Sequence, residues 1–159
     1  MRRTMSSKTK QQGVALIELA IIITVLITIT FGITEFGRAI YQYNTLAKAV
    51  RDGARFLAVR DPAAPASISG VQCMVVHGNP GCTGPALVPG LTSSMVSVCH
   101  AMDPACAATH QSQGASPVIN LVTVTIGGAN APFTFQSLVT FVVPNIQFGA
   151  ISATMRQVM

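Results

Sequence analysis

The sequence predicts an α+β fold in which a long N-terminal transmembrane helix extends beyond the membrane and a small, loop-rich, disulfide-stapled antiparallel sheet follows it. Three observations support this prediction. Residues 19–34 carry no charge, in a chain of which only 9% is charged, against about 25% in a typical soluble domain. All four cysteines lie among prolines and glycines in residues 62–117. The last forty residues are rich in β-branched and aromatic side chains, which favour strands.

The first element is the apolar helix. Between Val14 and Thr34 the only charged residue is Glu18. A helix over this run would be roughly 31 Å long at about 1.5 Å per residue, which is about the thickness of the hydrocarbon core of a bilayer. The sequence therefore predicts a transmembrane helix over residues 14–36.

The positive charge is concentrated in front of this helix. The net charge is +5, and without residues 1–13 it would be +1. A nucleic-acid-binding protein needs basic groups spread over a binding face, so this distribution argues against one. By the positive-inside rule we expect a basic cytoplasmic leader over residues 1–13, a single pass through the inner membrane, and a periplasmic C-terminal part. The leader charges are Arg2, Arg3, Lys8 and Lys10.

The apolar run does not have the form of a cleaved secretory signal. Such signals have an apolar core of about 7–15 residues followed by a small-x-small cleavage site. Here the run is longer, and the sequence after it, EFGRAIYQYN, has no convincing site of that type. We therefore expect the helix to be retained.

Glu18 is unusual because an ionised carboxylate in hydrocarbon costs a few kcal/mol, on the order of 3. In one interpretation it lies at the membrane interface and reaches water. In the other it has a partner: if the chain were cut after Gly13, the new amine of Val14 would lie one helical turn away, on the same subunit or on a neighbour.

Four segments of the chain resemble sequence patterns of known proteins. Gly13, four apolar residues and Glu18 are similar to the processing pattern of type IV prepilins. The segments EFGRA (35–39), KAVRDGARFLAV (48–59) and, more weakly, HGNPGCTGPALVPGLT (77–92) resemble the TadE-like family of the Flp (tight adherence) pilus system.

The resemblance implies a pilin-like, non-enzymatic protein without cofactors. A prepilin peptidase would cut between Gly13 and Val14. The protein would be a minor pilin or pseudopilin in the assembly of Flp (Tad) pili for adhesion and biofilm formation, staying in the membrane or entering the pilus. Its partners would be inner-membrane lipid, pilins, a second pseudopilin and platform proteins. Major Flp pilins are shorter and carry Tyr after the Glu, where this chain has Leu19, which favours a minor subunit.

An apolar stripe with alternating steps of four and three residues runs along the helix, as in a heptad seam. We expect the helix to continue through residues 37–61 and to end near Asp61, because Pro62 disfavours helical geometry in the residue before it. The stripe is either a helix–helix assembly surface or, over residues 40–60, a face that packs on the chain's own domain. Its members are Ile22, Leu26, Ile29, Ile33, Phe36, Ile40, Tyr43, Ala47, Val50, Ala54 and Leu57.

The middle of the chain predicts loops with short strands around Met74 and over residues 95–99. On an oxidising exported side, cysteines form disulfides by default, and of three possible pairings we favour the local one, Cys73–Cys82 with Cys99–Cys106. Zinc is a weaker alternative, since the spacings C-x8-C and C-x6-C are longer than those of compact zinc sites. Three histidines lie near these cysteines: His77, His100 and His110.

The C-terminal part completes a periplasmic β-rich domain over residues 62–159. Strands are expected at 118–126 and 150–158, with a turn at 127–130 between the first strand and a run, 132–143, that is either a strand or a buried helix. The second strand should place Ile151, Ala153, Met155 and Gln157 on one face. The expected aromatic core is Phe133, Phe135, Phe141 and Phe148.

Two other functional classes stay open. One is an uncleaved single-pass inner-membrane scaffold of the pilus secretion machine. The other is a membrane-tethered periplasmic enzyme or metal-binding protein. It is disfavoured because Asp103 is the only carboxylate side chain beyond Asp61, and paired acid–base chemistry needs two. We therefore expect no catalytic and no metal-binding residues.

Overall fold

The computed structural model describes residues 8–111, 119–128 and 131–158, and its architecture is α+β, as predicted. The first element, α1 (Lys8–Ala58), is a single helix of 51 residues, about 76 Å long. It ends three residues before Asp61, so the predicted end is confirmed closely. Backbone N–H groups of Arg60 and Val158 donate to the carbonyls of Leu57 and Ala58 and satisfy two of the last carbonyls of the helix. The leader residues 1–7 lie outside the described part of the chain.

The second helix, α2 (Pro65–His77), corrects the prediction of loops with a short strand around Met74. Pro65 lies in its first turn, where the missing N–H costs nothing. Gly78 ends the helix with a φ of 77°, and its N–H donates to the Met74 carbonyl at 2.9 Å. The β-branched residues of this segment have a strand-like composition. They form a helix because that conformation packs them against α1, and such packing overrides weak local propensity.

The main sheet has three antiparallel strands in the order β1-β2-β5. They are β1 (Val96–His100), β2 (Leu121–Ile126) and β5 (Ile151–Arg156). In the middle of the sheet Val124 lies opposite Val98 on one side and Ala153 on the other. The predicted strands at 95–99, 118–126 and 150–158 are confirmed within a few residues, and Val118 lies outside the described part of the chain.

Burial alternates along these strands as the sequence pattern predicts. In β2 the side chains of Val122, Val124 and Ile126 are buried, while their neighbours are partly exposed. In β5 the odd-numbered positions are the more buried ones, which confirms the predicted face of Ile151, Ala153 and Met155. The residue after the strand, Gln157, is also partly buried.

Residues 132–143 form neither a full strand nor a buried helix. They contain β3 (Thr134–Phe135), which pairs with β4 (Ile146–Gln147), and a loop that joins the two. Phe133 and Phe135 are buried as predicted, and Phe148 packs against the core. Phe141 was placed wrongly, because it lies in the loop and is 83% exposed. Of the predicted turn, Gly127 has a φ of 75°, and residues 129–130 lie outside the described part.

One hydrophobic core joins α1, α2 and the three-stranded sheet. It is contributed by residues 46–58 of α1, which we call the packed half, together with valines of α2 and the inner face of β2. The α1–α2 crossing is close because Gly53 faces Val75: a Cβ at position 53 would lie 2.7 Å from Cγ2 of Val75. The helix that approaches α1 closely at this glycine is the chain's own α2.

The two predicted disulfides are present. Cys73 of α2 is bonded to Cys82 in the following loop, and Cys99 of β1 is bonded to Cys106. Cys106 directly precedes the short helix α3 (Ala107–His110). Each bond closes a short loop in a region with little regular structure, and closing a loop limits the conformations of the unfolded chain.

Candidate functional site

The largest exposed apolar surface of the described chain is the N-terminal part of α1, residues 14–34, which we call the exposed half. Apart from Gly32, which is partly covered, every residue in it is exposed. Leu16, Ile27 and Ile33 are 67%, 48% and 70% exposed. Apolar side chains point outward all around the helix, a pattern typical of a helix surrounded by lipid or by other helices. The helix is long and apolar enough to span a membrane.

The threonine hydroxyls of the exposed half are satisfied within the helix. Four threonine hydroxyls each donate to the carbonyl four residues earlier, at 2.8–2.9 Å. In hydrocarbon an unsatisfied polar group would cost several kcal/mol, of the order of 4. These bonds therefore make the segment compatible with a bilayer interior. The donors are Thr24, Thr28, Thr30 and Thr34.

The predicted processing residues lie at the N-terminal end of this half. Gly13, Val14 and Glu18 are all on α1 and exposed. Glu18 follows Val14 by four residues, so the two lie on the same helix face about 6 Å apart along the axis. The helix is continuous through Gly13. A peptide bond after Gly13 therefore lies at an accessible position, at the boundary between the basic leader and the apolar run.

The predicted apolar stripe divides into two parts. Its first seven members are 47–70% exposed, and they are Ile22, Leu26, Ile29, Ile33, Phe36, Ile40 and Tyr43. The last three, Val50, Ala54 and Leu57, are 0% exposed, and Ala47 packs against the same core. These four residues cannot present a surface to a partner, because α2 and the sheet already cover them. Over residues 47–57 the stripe therefore packs on the chain's own domain, which is the second of the two predicted interpretations, and for the first seven positions the assembly surface stays a prediction.

Glu35 has a structural role that its position in the sequence does not indicate. The Glu35 side chain is only 4% exposed. Its carboxylate accepts two hydrogen bonds from Arg38 Nη1, at 2.7 and 2.9 Å. It also accepts one from the Ser137 hydroxyl at 3.0 Å and one from the Leu138 backbone N–H at 3.1 Å. We call this arrangement the Glu35 bridge, and it joins α1 to a loop about one hundred residues away in sequence.

The loop held by the Glu35 bridge is residues 137–145, here called the tip loop. Asn145 Oδ1 accepts a bond from the Ser137 N–H at 3.0 Å, which closes the base of the loop. The N–H groups of Val142 and Val143 both donate to the Val139 carbonyl at 3.0 Å. The loop is therefore internally ordered. The one sequence signal for this contact is that Glu35 is the first carboxylate after a charge-free run, and that signal does not identify its partner.

A second polar cluster surrounds His110. Cys99, Cys106 and His110 lie within 4.8 Å of one another, but the two sulfurs are bonded to each other and are not available as thiolate ligands. His110 Nε2 lies 2.7 Å from the Thr123 hydroxyl, which in turn lies 2.7 Å from the Thr154 hydroxyl. This chain of contacts connects α3 to β2 and β5. The arrangement is that of a structural network beside a disulfide.

Comparison with protein-family models matches residues 13–55 to the family described as TadE-like protein. This confirms the predicted resemblance over α1 from Gly13 to Arg55, including the EFGRA segment and the glycine at the α1–α2 crossing. The family is one of components of Tad pilus systems, and the match covers residues 13–55 of the 159. Comparisons with curated proteins and with solved structures gave no match.

Proposed function

We propose that this chain is a minor pilin or pseudopilin that takes part in the assembly of Flp (Tad) type IV pili, which serve adhesion and biofilm formation. One observation carries the proposal: a single rigid helix places an exposed apolar half beside a packed half, and this same segment matches the TadE-like family. Such a helix can hold the folded domain at a fixed height above a membrane while leaving one apolar face for other subunits.

The proposed topology follows from charge and hydropathy. Residues 14–36 cross the inner membrane, residues 1–13 stay in the cytoplasm as a basic leader, and residues 37–159 lie in the periplasm. The positive-inside rule supports this orientation. The two disulfides support an oxidising compartment for the C-terminal domain. The domain itself comprises the helix extension 37–61 and the β-rich part 62–159.

The proposed processing step is hydrolysis of the peptide bond between Gly13 and Val14 by a prepilin peptidase. The new amine of Val14 would lie one helical turn from the Glu18 carboxylate. An opposite charge at that distance stabilises an ionised acid in a medium of low dielectric constant. We infer that Glu18 pairs with such an amine, on its own subunit or on a neighbour, and so fixes the axial position of adjacent helices.

The proposed subunit contact is the exposed part of the apolar stripe, from Ile22 to Tyr43. Gly37 lies along the same stretch of helix, and no heavy atom lies within 4 Å of a Cβ built there. Small residues at this level allow a second helix to approach closely in a membrane. Pilins, a second pseudopilin or platform proteins would occupy this surface. The chain itself does no chemistry in this proposal.

The test compares wild type with Glu18→Ala in cells that express the complete pilus system. Intact mass from isolated inner membranes should give a wild-type protein that begins at Val14, with both disulfides formed. Glu18→Ala should still enter the membrane but should strongly reduce the number of assembled pili. The matched control is Val25→Ala, which removes an exposed apolar side chain that is not on the stripe and should leave piliation normal.

Two results would overturn parts of this proposal. A full-length wild-type mass would contradict processing and would favour the uncleaved scaffold. Normal piliation in Glu18→Ala, with the protein correctly inserted, would contradict the charge pair while leaving the membrane topology intact.

A further inference from the structure

We propose that the tip loop, residues 137–145, is a second membrane contact that dips into the periplasmic leaflet beside α1. The proposal rests on the membrane topology given above and goes beyond it, because it assigns lipid as the ligand of a segment far from the transmembrane helix in sequence. The ligand class is a bilayer surface at the level of the headgroups and the first acyl carbons.

The position of the tip loop along α1 is the first argument. The Glu35 bridge fixes Ser137 and Leu138 at the level of Glu35, directly after the charge-free run. Val142 lies closer to the N-terminal end of α1, since its Cγ1 is 3.6 Å from a Cβ built at Gly32. Three residues of helix separate these levels, about 4.5 Å. The loop therefore descends along the helix toward the exposed half and reaches the last turn of the proposed membrane span.

The composition and exposure of the tip loop are the second argument. Leu138 is 77% exposed and Phe141 is 83% exposed, the two highest values among the large apolar side chains of the described chain. They belong to the sequence LVTFVV, residues 138–143, and residues 131–155 include no Asp, Glu, Lys or Arg. An aromatic and a leucine held outward on an uncharged loop are typical of segments that enter the membrane interface.

The order of the tip loop is the third argument. Several of its backbone N–H groups are bonded within the loop: Asn145 Oδ1 accepts from the Ser137 N–H, and Ser137 Oγ accepts from the Val139 N–H at 3.2 Å. Two further N–H groups donate to the Val139 carbonyl. Internal satisfaction of backbone groups is what a segment needs to enter an environment poor in water. Leu138 and Phe141 are left free to face outward.

Continuity of surface favours lipid over another occupant. The apolar side chains of the tip loop adjoin the exposed half of α1 at Gly32, so a bilayer that surrounds the helix up to Thr34 also meets the loop. The loop contacts α1 at Gly32 and Glu35, which are not members of the apolar stripe proposed as the subunit contact, so a subunit bound to the stripe leaves this side of the helix and the loop to lipid. We therefore commit to the bilayer, and contact with a second copy becomes a distinguishable outcome of the test.

The test uses the full chain in proteoliposomes and exploits the absence of tryptophan from the sequence. Three single-tryptophan variants are compared: Phe141→Trp in the tip loop, Ile23→Trp in the exposed half, and Val59→Trp just beyond the C-terminal end of α1. All three sites are exposed, at 83%, 44% and 57%, so the substitutions leave the fold intact. Leu138→Trp serves as a second probe of the loop. Emission is recorded in lipid brominated either near the headgroup or near the chain end.

The expected result is a blue-shifted Phe141→Trp emission that headgroup-proximal bromine quenches severalfold more than chain-end bromine. Ile23→Trp should be quenched by acyl-chain bromine, and Val59→Trp should show unquenched, water-like emission. Water-like emission from both loop probes together with a quenched Ile23→Trp would overturn the tip-loop proposal and leave the membrane span standing. Blue-shifted but unquenched loop emission would also overturn it, in favour of a protein partner. An unquenched Ile23→Trp would overturn the span and the loop contact together.

Discussion

The two halves of α1 have similar apolar spacing and opposite surroundings. In the packed half, Val50, Ala54 and Leu57 are 0% exposed and belong to the hydrophobic core. In the exposed half, Leu26 and Ile33 occupy equivalent positions of the same stripe and are 60% and 70% exposed. One continuous helix therefore presents the same pattern to two different environments. A periodic apolar stripe predicts that a face will be covered, but it does not predict what covers it.

The residues beside the stripe distinguish the two halves. Around the packed half the other faces carry Lys48, Arg51, Asp52 and Arg55, as expected for a helix with one face on a core and the others in water. Around the exposed half the other faces are also apolar. A helix that is apolar on all sides has to be surrounded, and no described part of this chain is large enough to surround it. The residues outside the stripe, and not the stripe itself, therefore indicate whether a segment of α1 is surrounded by water or by an apolar environment.

The largest expected effect contrasts one substitution in the two halves. Leu57→Ala removes a completely buried side chain and should lower the free energy of unfolding of the C-terminal domain by about 2–5 kcal/mol, since it loses burial and leaves a cavity. Leu26→Ala makes the same change on the same stripe in the exposed half. It should change the domain's stability by less than about 0.5 kcal/mol.

Both variants can be measured in detergent micelles by hydrogen exchange at the Val122 and Val124 amides in increasing urea. These residues lie in the central strand β2 and are fully buried, so their exchange reports global unfolding of the domain. Equal losses in the two variants would contradict the division of α1 into two halves.

A smaller effect is expected from the two glycines of α1 that follow the exposed half. Gly53→Ala places a Cβ 2.7 Å from Val75 Cγ2 and should push α1 and α2 apart. Overpacking of this kind costs about 1–3 kcal/mol, which exceeds the gain of up to about 1 kcal/mol from replacing Gly by Ala in a helix.

Gly37→Ala is the matched control, because a Cβ at position 37 meets no heavy atom within 4 Å. It should leave domain stability unchanged or raise it by up to about 1 kcal/mol. Thermal unfolding of both variants, followed by circular dichroism in micelles, measures the difference. Stabilisation by Gly53→Ala would show that the helices do not meet at this glycine.

The fold was largely predictable because its strongest signals are local. The apolar run, the proline after the long helix, and the alternation in β2 and β5 each fix an element without reference to the rest of the chain. Helix α2 was not predictable in the same way. Its segment, Pro65–His77, has β-branched residues and a central glycine, and it becomes helical because Val71 and Val75 fit against Gly53 of α1. That reason lies in the tertiary structure.

The candidate site was predictable only where it depends on the helix alone. Gly13, Val14 and Glu18 follow from a short motif, and the exposed stripe follows from periodicity. The Glu35 bridge could not be predicted, since its other partners, Ser137 and Leu138, are about one hundred residues away. The same holds for Phe141, whose aromatic character suggested core and whose place in a loop held by Glu35 makes it exposed.

The smallest effect is expected from two carboxylates of α1, each of which is paired with an arginine three residues later in the sequence. Glu35 is almost fully buried and bonded to Arg38 and to the tip loop, whereas Asp52 lies 4.0 Å from Arg55 with both side chains well exposed. Glu35→Gln keeps the shape of the side chain but removes the charge that strengthens its bonds. The Leu138 amide should then exchange faster, while the Val124 amide in β2 keeps its protection. Asp52→Asn should alter neither exchange rate, because exposed ion pairs contribute little to stability.

Hydrogen exchange resolved at the Leu138 amide measures the effect. Unchanged exchange at this amide in Glu35→Gln would mean that the tip loop keeps its position without the carboxylate. In that case the packing of the C-terminal domain on the packed half, and not the Glu35 carboxylate, would hold the tip loop against α1.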